Sequence, residues 1–304
     1  MPHRENTRSL SPVGGDMQKS EKAGVPILPT EHLLCAYSTI GTYPINTVEH
    51  FRDAASRYRF NAVKCDVRPT ADDRLICCHD AGFTLDSDGR IISYNRENAV
   101  PIRSLTAADC LSLEHAAGYE RLGYHPHPCL VEDMLRICRD IGKVAFVTIR
   151  DEYMDVVIPT LLQALRHYYM TEATIINSMT LESLQLWRGY DRSIMLNYTL
   201  RRNADVTAAA IDAAVELGHC SVCAYGYQPD STEPQNACDF AYAHQKNIRL
   251  FQAICSCEGS LEAALRAGYD GAQISYPYGR SLISRIEALE SRMGKSDEGF
   301  FNTT

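Results

Sequence analysis

Residues 143–199 read KVAFVTIRDEYMDVVIPTLLQALRHYYMTEATIINSMTLESLQLWRGYDRSIMLNYT. Three short apolar runs stand out, KVAFVTI (143–149), ATIINS (173–178) and SIMLNYT (193–199). Their length and β-branched content mark strands buried on both faces. Between them lie VVIPTLLQALRHYY (156–169) and LESLQLWR (181–188), whose apolar residues recur at helical spacing. Strand, helix, strand, helix, strand is the pattern of a parallel sheet with helical crossovers.

The same alternation extends in both directions. Upstream are HLLCAY (32–37) and NAVKCDV (61–67); downstream are CSVCAY (220–225), IRLFQAIC (248–255) and GAQIS (271–275). Helical patterns fall at TVEHFRDAASRYR (47–59), VEDMLRICRDI (131–141), ADVTAAAIDAAVELG (204–218), DFAYAHQK (239–246) and SLEAALRAG (260–268). Asn46-Thr47 and Thr180 are N-cap candidates, and Gly142, Gly218 and Gly268 stand near helix ends. A further strand, RLICCH (74–79), follows the second one too closely for a helical crossover, so it reads as an excursion near the top of the fold. The remaining eight strands are the number that closes a (β/α)8 TIM barrel. An open doubly wound sheet lacks support, because no glycine-rich first turn is present.

Residues 1–30 read as a polar, disordered leader, 31–293 as the barrel and 294–304 as a tail. An insertion over about 80–128 holds TLDSDGRIIS (84–93), a hairpin signal at Asp88-Gly89, and the loop-rich YERLGYHPHP (119–128). In a barrel such an insertion covers the catalytic mouth.

The 304 residues are 45% hydrophobic and 22% charged, with a net charge of −8. An acidic chain without a dense Lys/Arg run is not built for a nucleic-acid backbone. No run of apolar residues is long enough to span a bilayer, and the N-terminal stretch has no signal-peptide core. The expectation is a cytoplasmic protein without a transmembrane segment. Its twelve cysteines sit in apolar runs and read as small buried hydrophobes of a reducing compartment. A zinc reading of Cys220-x-x-Cys223 with Cys255-x-Cys257 is disfavoured, because strand residues alternate between faces. His125 and His127 lack an evident third ligand.

The ordered fragments AYST (36–39), YPINT (43–47), KCDV (64–67), TADD (70–73), HD (79–80), PCLVED (128–133), TIR (148–150), NSMTLESLQ (177–185) and GYDGAQISYP (268–277) resemble the glycerophosphodiester phosphodiesterase family over about residues 33–280. That resemblance implies a TIM barrel, phosphoric diester hydrolysis and a place in lipid metabolism. It also implies a divalent cation (Mg or Ca) held by two carboxylates of the second strand and one of the third. The cation clamps phosphate oxygens while two histidines move protons.

This chain departs from the pattern at Tyr37 (family histidine), Ser38 (arginine), Lys64 and Thr148 (metal-binding glutamates) and Ile274-Ser275 (Thr-Asp). Asp66, His79, Asp80 and a basic Arg150 remain. His79, Asp80 and Tyr37 are therefore the candidate catalytic residues, Lys64, Arg150 and Ser38 the candidate substrate ligands, and Asp66 the single retained metal position. For Lys64 and Asp66 the readings are an ammonium replacing the metal, or a salt bridge filling its place. His79 is either acid–base or structural. Tyr37 is a general acid or filler, and Arg150 binds the anion or pairs locally with Asp151 and Glu152. A swing of Glu97, Glu114 or Glu152 would be needed to rebuild a metal site. The favoured expectation is a catalytically degenerate barrel without a cofactor, binding a phosphorylated or anionic small molecule, with a protein partner as an alternative. The other expectations are an active phosphodiesterase with a remodelled site and a lyase or transferase.

Overall fold

The computed structural model describes residues 32–37, 43–56, 60–94, 98–116, 123–225, 239–255 and 258–275. Residues 1–30 and 294–304, read above as leader and tail, lie outside them. All nine strands expected from sequence form: β1 (Leu33–Ala36), β2 (Ala62–Pro69), β3 (Leu75–Cys77), β7 (Val144–Ile149), β8 (Thr174–Ser178), β9 (Met195–Leu200), β10 (Cys220–Tyr225), β11 (Leu250–Cys255) and β12 (Gly271–Ile274). Eight of these are parallel and run β1-β12-β11-β10-β9-β8-β7-β2, with β2 returning to β1. The sheet is thus a closed barrel. β3 pairs antiparallel with β2, with Val67 opposite Cys77, as its short connection requires.

Closure depends on one glycine. Gly271 lies opposite Leu33 in the β1–β12 register, and a Cβ there would run into the Leu33 carbonyl. Only a residue without a side chain allows the two strands to meet this closely.

The alternation of strand side chains makes two apolar layers. Leu33, Ala62, Val144, Phe146, Ile175, Met195 and Phe251 fill the barrel interior. Leu34, Val63, Val147, Ile176, Leu196 and Val222 face the surrounding helices. Those helices are α1 (Val48–Ser56), α3 (Val131–Ile141), α4 (Met154–His167), α5 (Leu181–Tyr190), α6 (Ala208–Leu217), α7 (Phe240–Gln245) and α8 (Glu258–Ala267). Thr47 caps α1, its Oγ1 accepting from His50 N at 3.3 Å. α3 ends on Gly142 at φ 74°, the left-handed residue expected there. Gly218 also has positive φ but an extended ψ of 146°, so it leaves α6 without the left-handed cap.

Arg188 supplies what Gly218 does not. Its guanidinium donates to the carbonyls of Leu217, the last residue of α6, and of Gly218 and His219 just after it, and to those of Asp191 and Ile194 beyond α5. One cation thus satisfies the carbonyl ends of two helices. Arg188→Ala is expected to cost about 2 kcal/mol, since several carbonyls lose a charged donor and are partly rehydrated. Urea unfolding measures this, and a loss below about 0.5 kcal/mol would show the clamp to be ornamental.

The insertion carries its own small core. β4 (Gly82–Leu85), β5 (Ile91–Tyr94) and β6 (Val100–Pro101) form an antiparallel sheet in the order β5-β4-β6. The expected hairpin is present, with Gly89 at φ 78° and its amide on the Asp86 carbonyl at 3.1 Å. α2 (Ala107–Ser112) starts with a capping box between Thr106 and Asp109. Phe83, Ile91, Ile102 and Cys110 pack there against Ile76 and Cys78.

The ten described cysteines are buried. Cys220 and Cys255 sit in the outer layer and Cys223 in the inner one, so they do not converge; Cys257 lies outside the described residues. No described helix is long and apolar enough to cross a membrane.

Candidate functional site

The C-terminal ends of barrel strands carry chemistry in this architecture, because loops of several strands meet there. β2 sends Lys64 and Asp66 into the barrel at that end, both nearly inaccessible. Lys64 Nζ donates to Asp66 Oδ2 at 2.5 Å, and Arg150, just beyond β7, donates through Nη2 to Asp66 Oδ1 at 2.8 Å. Each carboxylate oxygen therefore faces its own cation. Burial alone would raise the Asp66 pKa, but Lys64, Arg150 and His79 outweigh it and hold the carboxyl below its ordinary value. The Lys64 ammonium also lies 4.1 Å from the centre of the Tyr37 ring. Burial, followed by the Asp66 charge, pushes the Tyr37 phenol up to about 12. Tyr37 is thus a neutral O–H that covers the ammonium.

His79 and Asp80 stand between β3 and the insertion. His79 Nδ1 is 2.8 Å from Asp80 Oδ1, so in the tautomer with Nδ1 protonated the ring donates to the carboxylate and Nε2 is left as an acceptor. Arg68 fixes this segment: its guanidinium donates twice to the His79 carbonyl, at 3.0 and 3.3 Å, and once to Glu152 at 3.3 Å.

The local pairing considered for Arg150 does not occur. Asp151 accepts instead from Ser178, Thr180 and Ser183 hydroxyls at 2.8, 2.8 and 2.7 Å, and Glu152 turns to Arg68. Thr180 stands at the N-cap of α5 as expected, but its hydroxyl makes no capping bond because it is committed to Asp151. Tyr153 follows at φ 56°, with Arg103 5.0 Å over its ring. A bulky residue in that conformation persists only where its surroundings hold it. Here each of the four residues after β7 is gripped by a side chain from elsewhere, Arg150 and Glu152 both from β2.

Sequence reasoning missed a chain of neutral polar groups across the barrel interior. Ser221 Oγ donates to Asn197 Oδ1 at 2.7 Å, and Asn197 Nδ2 to Asn177 Oδ1 at 2.7 Å. Thr199 Oγ1 reaches Asn177 Oδ1 at 2.6 Å, and Asn177 Nδ2 donates to Thr148 Oγ1 at 3.0 Å. The signal was available: Asn177, Asn197, Thr199 and Ser221 interrupt apolar strands at inward positions, where an unpartnered polar group is costly.

A cleft of about 360 Å³ opens at the starts of β9, β10 and β11, lined by Met195, Val215, Cys220, Lys246 and Ile248. It lies at the opposite end of the strands from the motif residues.

The closed barrel and the ordered β2, β3 and β7 residues agree with a family model. The glycerophosphoryl diester phosphodiesterase family model matches residues 40–214. The chain belongs to that family. A solved structure from Silicibacter pomeroyi DSS-3, named for the same activity, is 17% identical with a TM-score of 0.68, covering 87% of this chain and 97% of its own. An Oleispira antarctica phosphodiesterase, solved with the product sn-glycerol-3-phosphate, is 13% identical with a TM-score of 0.67, covering 84% and 97%. A glycerophosphoryl diester phosphodiesterase from Parabacteroides distasonis ATCC 8503 is 14% identical with a TM-score of 0.62, covering 86% and 87%. No curated protein matches the chain in sequence. At these identities the structures establish the shared fold.

For this glycerophosphodiester phosphodiesterase relative, the residues present do not fit the divalent cation that the resemblance implies. Hard cations take several oxygen ligands, carboxylates foremost. Here both Asp66 oxygens are engaged, and the neighbouring positions offer Lys64 and Thr148. Among the described residues no three His, Cys, Asp or Glu side chains gather for a metal. Glu114 pairs with Arg90 at 3.8 Å and Glu152 with Arg68, so neither rebuilds the site. Glu97 and Ser38 lie outside the described residues. His125 and His127 each spend Nδ1 on a backbone carbonyl, those of His115 and Leu113.

Proposed function

We propose that the barrel mouth binds a phosphorylated or other anionic small molecule and does not hydrolyse it by the metal-assisted route of the family. One observation carries this reading: two cations, Lys64 and Arg150, flank a single carboxylate, Asp66. Lys64 and Arg150 give this cluster one positive charge more than the Asp66 carboxylate neutralises. Lys64 is sealed under Tyr37 and contributes its charge from behind, whereas Arg150 is partly accessible and presents a planar donor fork. At 4 Å and an effective dielectric of 20, such a charge is worth about 4 kcal/mol to an anion before desolvation is counted. The sn-glycerol-3-phosphate bound by the Oleispira relative supports a ligand of this class. The burial of the ten described cysteines within apolar layers is in keeping with a reducing, cytoplasmic setting.

The second reading, a remodelled but active phosphodiesterase, draws on the His79–Asp80 pair, which has the geometry of an oriented base. The two readings separate in one experiment. Glycerophosphodiester hydrolysis and sn-glycerol-3-phosphate binding are measured with Mg²⁺, with Ca²⁺ and with EDTA. Binding unchanged by EDTA, weakened about tenfold or more in Arg150→Ala, and without turnover is the expected result. Metal-stimulated turnover abolished by His79→Ala would overturn it.

A further inference from the structure

We propose that Thr148 is a ligand-binding residue whose hydroxyl, together with Arg150 Nε, holds a phosphoryl oxygen without a metal. The inference rests on the reading of the mouth as an anion site and adds the group that orients the ligand there.

Arg150 lies two residues after Thr148, one step past the end of β7, and continues the face that Thr148 occupies. Thr148 is almost fully buried beside Asp66 in the β2–β7 register. A hydroxyl has one proton and two lone pairs. The Thr148 oxygen accepts from the Asn177 amide, so its proton must be given elsewhere, and among the described residues no acceptor takes it. Arg150 Nε is likewise a buried donor without a partner among the described residues. An unused buried donor costs free energy, and here two occur on one strand face at the mouth.

The chain behind Thr148 has a direction. Ser221 donates to Asn197, Asn197 to Asn177, and Asn177 to Thr148, so each donated bond points toward β7. Serial bonds of one sense polarise one another and strengthen the last donor. They also fix its rotamer, because the amide occupies the side of the oxygen facing β8. The hydroxyl proton is thereby left for the mouth, with Lys64 and Arg150 supplying the charge. A neutral O–H at this position can serve an anion directly, whereas a carboxylate would need a cation between them.

The test is titration calorimetry of sn-glycerol-3-phosphate in EDTA. Thr148→Val keeps the shape of the side chain and removes the hydroxyl; binding is expected to weaken about tenfold. Thr148→Ser should restore affinity to within about twofold of the parent, which a purely structural role would not require. Thr148→Ala, which adds no bulk, is read the same way if the valine form fails to fold. Parent-like affinity in both hydroxyl-free forms overturns the role of Thr148 and leaves the mouth reading standing. No binding by the parent protein overturns both.

Discussion

Asp66→Ala is expected to lower the unfolding free energy by about 3–5 kcal/mol, the largest effect of any single change at the mouth. The cause is what remains behind. Lys64 is buried, and among the described residues its one ionic partner is the carboxylate 2.5 Å away. Removing that partner strands an ammonium in a medium that solvates it poorly. The pair itself is not a large net source of stability, because both ions gave up their hydration on folding. A double change, Lys64→Met with Asp66→Leu, should therefore recover most of the loss. Urea unfolding of the three proteins decides the matter, and a double variant as unstable as Asp66→Ala would refute the stranded-charge account. The same pair fixes an acid dependence. The folded-state pKa of Asp66 is lowered, so its contribution is present above the unfolded value of about 3.9 and disappears as pH falls through the folded one.

Stability should also fall in a separate, milder window because of His115. Burial, followed by the nearby His127 charge, pushes the His115 pKa down to about 4. The unfolded chain takes up a proton near pH 6.5, while the folded chain does so only near 4. Folding is thus fully supported above about 6.5 and is progressively opposed as pH falls toward 4, where the penalty levels off. At 1.36 kcal/mol per pH unit the total is roughly 3 kcal/mol. The strain is local to the insertion, where His115 bridges to Ile91 and its amide bonds the Pro126 carbonyl. Chemical unfolding at pH 7 and pH 4.5, compared between the parent and His115→Gln, isolates the effect. An unchanged pH slope in the glutamine form would assign it elsewhere.

The barrel was legible because its strands are short, doubly buried and separated by helices of the right length. Periodicity and length suffice for such elements, and even β3, read as an excursion, follows from a gap too short for a helical crossover. The hydroxyl commitments were not legible. Thr180 has the composition and position of a helix cap, yet Asp151 takes its hydroxyl, since a carboxylate is a stronger acceptor partner than an exposed amide is a donor. Nor could residue order tell that Arg150 would bypass Asp151 and Glu152 for Asp66. That choice depends on strand register, which sets Thr148 beside Asp66 and brings Arg150, one step past the end of β7, to the carboxylate. The small strand β6 and helix α2 of the insertion were also missed, being too short to carry a period.

The seam between β1 and β12 has a consequence in time. Leu33 and Gly271, which face each other there, are about 240 residues apart in the chain. At roughly 5–20 residues per second, a ribosome needs some 12 to 48 seconds to deliver the second after the first. During that interval β1 has only β2 to pair with, and its other edge awaits a strand not yet made. The nascent barrel is an open, curling sheet until its last strand emerges. Truncation upstream of Gly271 would leave it permanently so, with the Leu33 edge exposed to whatever other strand comes along.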